Sequence, residues 1–190
     1  MTRRARNFRF NNRTGRLVVD DNEIVDSSGE LAISGGVVKT RSTWYGGEVS
    51  YSAPNNNVGT TIAALSTSIQ PEATTNKVLV MICISYECHH DSVFRLYRGS
   101  TEIGRNTTSS SRWSGFAMVP YDTNNDSTPH TQTMFYLDSP NTTSNITYSI
   151  KIQSSSGGNY TLRLNRDMNN AGADARENAS SSMFLMELTG

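Results

Sequence analysis

The chain has 190 residues, 35% of them hydrophobic, and a formal net charge of zero, enough for one ordinary domain plus an extension. The apolar shortfall is made up by 25 Ser, 21 Thr and 18 Asn, a composition that suits turn-rich β-structure and not helical packing. Zero net charge gives no bulk attraction to nucleic acid or membrane. No run approaches the roughly 18 apolar residues of a bilayer span, and the N-terminus lacks the apolar stretch of a secretory signal, so a soluble protein made in a cytoplasm is expected.

The first 43 residues are read as an extended docking arm. Arg3, Arg4, Arg6, Arg9, Arg13 and Arg16 form a basic block with no acid, and Asp20, Asp21, Glu23, Asp26 and Glu30 follow with no base until Lys39. A basic block followed by an acidic one is the pattern of an interaction tail. Its apolar residues come in brief clusters, Phe8 and Phe10, Leu17 to Val19, Ile24 and Val25, Leu31 to Ile33, which predict short two-stranded pieces too thin to stand alone. Such a segment needs another chain to hold it. The six arginines would serve either phosphates or an acidic groove of a partner protein. The acidic stretch behind them favours the protein partner, with Phe8 and Phe10 as apolar anchors.

From Trp44 to Gly190 the pattern becomes that of a second unit. Strands are expected over 44–51, 60–69, 77–86, 93–97, 102–105, 113–119, 131–137, 146–152, 160–164 and 183–188, with Gly, Asn, Asp, Ser and Pro between them. Residues 77–86 (KVLVMICISY) are the strongest and are placed centrally. Residues 166–181 are read as a loop. Short strands at this spacing predict an all-β antiparallel sandwich or jelly roll. Alternation assigns to the core Val78, Val80, Ile82, Ile84, Phe94 and Leu96, then Phe135, Leu137, Tyr148, Ile150, Ile152, Leu162, Leu164, Phe184 and Met186. Cys83 and Cys88 fall on opposite faces of one strand, so no disulfide joins them. This modest core leaves apolar edges that a closed homotrimer would cover.

The densest polar constellation is Glu87-Cys88-His89-His90-Asp91. Adjacent histidines on a strand point apart, so His89, His90 and Asp91 are read as a polar hairpin turn, with a metal on a trimer axis as the alternative. Asp122, Asn124 and Asp126 imitate the opening of a calcium loop, but Ser127 stands where its glycine belongs and Thr133 where its glutamate belongs. No nucleophile elbow is present, no catalytic residue is assigned and no cofactor is expected; the chain is read as non-enzymatic. Exposed aromatics beside hydrogen-bonding loops are the pattern of sugar recognition, which makes Trp113, Tyr121, Asp122, Asn124 and Asn125 the candidate glycan-binding residues.

Four stretches carry a family resemblance. They are SIQPEATTNKVLVMICISYE (68–87), VFRLYRGSTEIG (93–104), FYLDSPNTTSNITYSIKIQSSSGGNYTLRLNR (135–166) and the terminal SSMFLMELTG. Their order resembles a domain of tail-fibre and other virion proteins of phages, especially cyanobacterial ones. It has a Pro-containing turn, an aliphatic strand, an R-x-G-x-x-I-G hairpin, an l-D-s-P turn and a closing l-x-E strand. The segment LVVDDNEIVDSSGELAISGGVVKT (17–40) resembles short repeats that precede such domains. The resemblance covers about residues 58–190 and is one of strands and turns, not of a catalytic signature.

It implies a trimeric jelly roll of C1q and tumour-necrosis-factor outline, a virion location, other virion proteins as partners through the arm and, in some members, host-surface binding. Tail fibre, collar, baseplate and capsid decoration all stay open, as does a carbohydrate-binding module.

Overall fold

The computed structural model describes residues 36–107, 112–121, 128–169 and 176–190, together with the backbone of three short strands ahead of them. Those strands, β1 (Phe8–Asn11), β2 (Arg16–Val19) and β3 (Asn22–Val25), form an antiparallel meander with Phe8 opposite Val19 and Leu17 opposite Val25. The apolar clusters of the arm thus build one three-stranded sheet in place of separate pairs.

The remaining strands are β4 (Val37–Tyr45), β5 (Val49–Ala53), β6 (Thr60–Ile69), β7 (Lys77–Cys88), β8 (Ser92–Arg98), β9 (Thr101–Ile103) and β10 (Ala117–Val119). They continue as β11 (His130–Asp138), β12 (Ile146–Ser154), β13 (Tyr160–Leu164) and β14 (Ser181–Leu188). Leaving aside β5, β9 and β13, they roll up from the two ends of the chain: β4 pairs with β14, β6 with β12, β7 with β11 and β8 with β10, all antiparallel. That nesting defines a jelly roll. One sheet runs β4-β14-β7-β11 and the other β6-β12-β8-β10. β7 is long enough to take two neighbours along one side, β14 from Lys77 to Cys83 and β13 from Tyr86 to Cys88. β5 then pairs with β13, and β9 with β8. No helix occurs among the described residues.

Several expected boundaries move. The strand expected over 44–51 is two strands, β4 ending at Tyr45 and β5 starting at Val49, with Gly46 and Gly47 between. β4 starts at Val37, ahead of the boundary drawn after residue 43. Its polar Lys39 disguised it, but that amine sits 2.8 Å from a Glu72 carboxylate oxygen and 3.7 Å from one of Glu187. The strand expected over 113–119 shortens to Ala117–Val119, leaving Trp113 in the connection. Residues 89–91 are not a hairpin. They cross from β7 in one sheet to β8 in the other.

The core lies between the sheets. Val78, Val80, Ile82, Ile84, Phe94, Leu96, Tyr148, Ile150, Ile152, Leu162 and Leu164 are all buried, as alternation predicts. Two strands run in the opposite phase to the one expected. On β11, Met134 and Asp138 point inward while Phe135 and Leu137 are exposed. On β14, Met183 and Leu185 are fully buried while Phe184 and Met186 are half-buried on the other face.

Polar anchors fix the phase. Tyr148 donates its hydroxyl to Asp138 at 2.6 Å, and Arg98 donates to both oxygens of the same carboxylate at 3.0 and 2.9 Å. An inward Asp138 with two donors is satisfied, whereas an outward one would leave Tyr148 unpaired inside the core. Glu87, fully buried, likewise accepts from the Thr128 amide and hydroxyl at 3.1 and 2.7 Å and from the Met168 amide at 2.6 Å. It ties two connections to the end of β7.

Candidate functional site

The sequence candidates scatter. Arg3, Arg4, Arg6 and Arg13 lie outside the described residues, and Phe8, Arg9, Phe10 and Arg16 are described only as strand backbone in β1 and β2. Asp122, Asn124 and Asn125 also lie outside. The two aromatic candidates have different neighbours. Tyr121 is exposed and meets the His90 ring edge-on at 5.5 Å. Trp113 lines a cavity whose walls are arginines and amides.

His90 stacks against Tyr160 at 4.1 Å in the left-handed backbone region, with φ of 60°. Its ring is thus held between two tyrosines. The His89 and His90 ring centroids are 6.3 Å apart, and no group of three metal-ligating side chains occurs among the described residues. Cys83 and Cys88 are both free, Cys88 facing inward and Cys83 outward. Burial pushes the Cys88 thiol up to about 11, against a partial offset from the Ser92 hydroxyl. It therefore stays protonated and unreactive at neutral pH. Burial also raises the Tyr86 and Tyr148 hydroxyls above their ordinary value.

The feature missed from the sequence is the outer face of the β4-β14-β7-β11 sheet. Strand register sets its side chains in rows. Phe135 lies beside Met81, Met81 beside Phe184, and Phe184 beside Ser42. In the next row Leu137, Leu79 and Met186 lie side by side. A third row carries Thr133, Cys83, Ser182 and Trp44. Phe135 is 61% exposed, Leu137 49% and Trp44 71%, on a face with no charged residue in any of the three rows. Contiguous apolar surface is uncommon on a protein that makes no further contacts. The signal was present in the sequence: FYL and MFLMEL are apolar in both phases, as strands covered on two faces are.

The fold defined by these strands is a jelly-roll β-sandwich. Comparison with solved structures finds only distant likenesses, to structures of infectious bursal disease virus. One is infectious bursal disease virus, Gt strain, at 11% identity and TM-score 0.40 over 92% of this chain and 40% of that one. A second is the T13 particle of the same virus, at 14% identity and TM-score 0.40 over 85% of this chain and 38% of that one. A third is its VP2 subviral particle, at 12% identity and TM-score 0.36 over 80% of this chain and 41% of that one. The chain therefore spans about 40% of the length of these structures. No family model matches the chain, and no curated protein matches it.

Proposed function

We propose that the chain is a non-enzymatic structural subunit of a phage particle. Its jelly-roll head associates as a homotrimer through the outer face of the β4-β14-β7-β11 sheet, and its arm, residues 1–36 ahead of β4, docks onto another virion protein. In this reading it is a short fibre or appendage subunit that presents its remaining surface to the host. A capsid decoration or cement protein is the alternative and uses the same face and arm.

The single observation that carries the assembly is the uncharged apolar surface around Phe135, Met81 and Phe184. A sheet face of this composition is stable in water only when another surface covers it, and copies of one chain supply matching surfaces at no extra design. The virion assignment itself rests on the phage-type strand and turn motifs.

Sedimentation equilibrium tests the assembly. The wild-type protein is expected at three times the 20.9 kDa chain mass, and the double variant Phe135→Glu, Phe184→Glu at one. A wild-type monomer at micromolar concentration would refute it. Deleting residues 1–36 is expected to leave the trimer intact and to abolish incorporation into particles. Immunogold labelling of virions then separates an appendage from a decoration.

A further inference from the structure

The outer face of the opposite sheet carries a second feature. Arg95 of β8 and Gln153 of β12 point away from the core, yet they are only 6% and 1% exposed. They are covered by the β5–β6 connection, which brings the Asn57 carbonyl onto the Arg95 guanidinium, and by residues 112–116 ahead of β10. Gly115 lets that segment lie flat: a Cβ there would come within 2.6 Å of the Phe94 carbonyl oxygen. The Phe116 amide donates to that oxygen at 2.7 Å.

Beneath this cover lies a cavity of about 410 Å³, within the range of small-ligand sites. Its walls include Arg95, Arg105, Arg112, Trp113, Asn57 and Gln153. The polar wall is rigid. Arg95 donates through Nε to Glu102 at 2.8 Å, through Nη2 to the other oxygen of that carboxylate, and through Nη1 to the Gln153 carbonyl oxygen at 2.9 Å. That last bond fixes which end of the Gln153 amide is nitrogen. Its Nε2 is buried with no hydrogen-bond partner among the described residues, a donor set beside the cavity with nothing to receive it.

We infer that this cavity binds a saccharide unit bearing a carboxylate, a uronic-acid residue of an acidic polysaccharide. Trp113, 38% exposed, offers a flat ring to the apolar face of a sugar. Three guanidiniums line the cavity, and none of its described lining residues is acidic. Glu102 is engaged with Arg95 and lies 3.7 Å from Arg105, so that pair of guanidiniums shares one carboxylate and keeps one positive charge for a bound carboxylate. Asn57 provides amide groups for hydroxyls. One aromatic plate and room for one or two sugar rings fit a saccharide better than a nucleic-acid strand, which requires successive stacking platforms along a basic groove. Tyr121, beside His90, is not part of this site.

The inference extends the host-surface part of the proposed function, and it is tested apart from assembly. Titration calorimetry on the full chain would compare an oligogalacturonate, a neutral glucose oligosaccharide and inorganic phosphate. The oligogalacturonate is expected to bind, at least tenfold more weakly in Trp113→Ala and in Arg105→Gln, and more weakly as salt rises. No binding of the oligogalacturonate at millimolar concentration overturns the inference. So does equal binding of the neutral oligosaccharide, or of phosphate alone, or an unchanged affinity in both variants. Circular dichroism and sedimentation of each variant check that fold and assembly are retained, so failure here is distinguishable from failure of the trimer.

Discussion

The outer face of the β4-β14-β7-β11 sheet and that of the β6-β12-β8-β10 sheet solve one problem in opposite ways. Every sheet in a sandwich has a second face that needs water or a cover. On the second sheet the chain covers itself: connections fold over Arg95 and Gln153, and the buried charge is matched by Glu102. On the first sheet nothing in the described chain covers Phe135, Leu137 or Trp44, which stay exposed and uncharged. A self-made cover has to satisfy each polar group it buries, whereas an apolar face left open needs only a matching apolar face. The contrast therefore separates a face finished by folding from a face that the proposed assembly would finish.

Substitutions sharpen this contrast, and the largest effect belongs to the finished face. Arg95→Ala is expected to cost about 3–5 kcal/mol in urea unfolding, because it strands Glu102 and Gln153 in a covered site. A loss below about 1 kcal/mol would mean that the cover contributes little. Next comes a neighbouring pair on β11. Met134→Ala is expected to cost about 2–5 kcal/mol as a core truncation, and Phe135→Ala under about 1 kcal/mol in the monomeric background. Equal costs would break the assigned phase of β11.

A pH effect on the shared core is smaller. The folded Cys88 thiol titrates near 11, above its ordinary 9.0, because burial disfavours the thiolate. The unfolded chain then loses that proton first as pH rises. Stability is therefore fully present below about pH 9 and falls as pH rises towards 11, with the raised tyrosines Tyr86 and Tyr148 adding above 10. Urea midpoints should be flat from pH 7 to 9 and fall beyond. Cys88→Ala should flatten the first part of that fall.

How far the sequence could be read follows from the same contrast. β12 alternates cleanly between apolar and polar positions, and on β7, apolar in both phases, the β-branched Val78, Val80, Ile82 and Ile84 mark the inward face against unbranched Leu79 and Met81; every core residue assigned on the two strands is buried. On β11 and β14 the alternation fails, since both faces are apolar and period-two reasoning has no contrast to use. Asp138 held the answer, but only through Tyr148 and Arg98, ten and forty residues away in sequence. Trp113 was legible as a candidate aromatic, but as the first residue of a strand over 113–119 and not as part of a connection. Its partners were not, because Asn57, Arg95 and Gln153 come from three separate segments that only the register of β8 with β12 and the folding-over of two connections bring together. β4 went unread ahead of Trp44 because Lys39, Thr40, Arg41 and Ser42 look like loop until β14 lies beside them.

The most direct measurement is methionine oxidation by dilute peroxide, read by mass spectrometry across protein concentration. Met118, on the edge strand β10, is 81% exposed and serves as an internal reference that oxidises at one rate throughout. Met81 and Met186 sit in the apolar rows of the open face. Their oxidation is expected to slow as concentration rises and to recover in the Phe135→Glu, Phe184→Glu variant. Rates for Met81 and Met186 that ignore both concentration and the variant would contradict the claim that this face is closed by another copy of the chain.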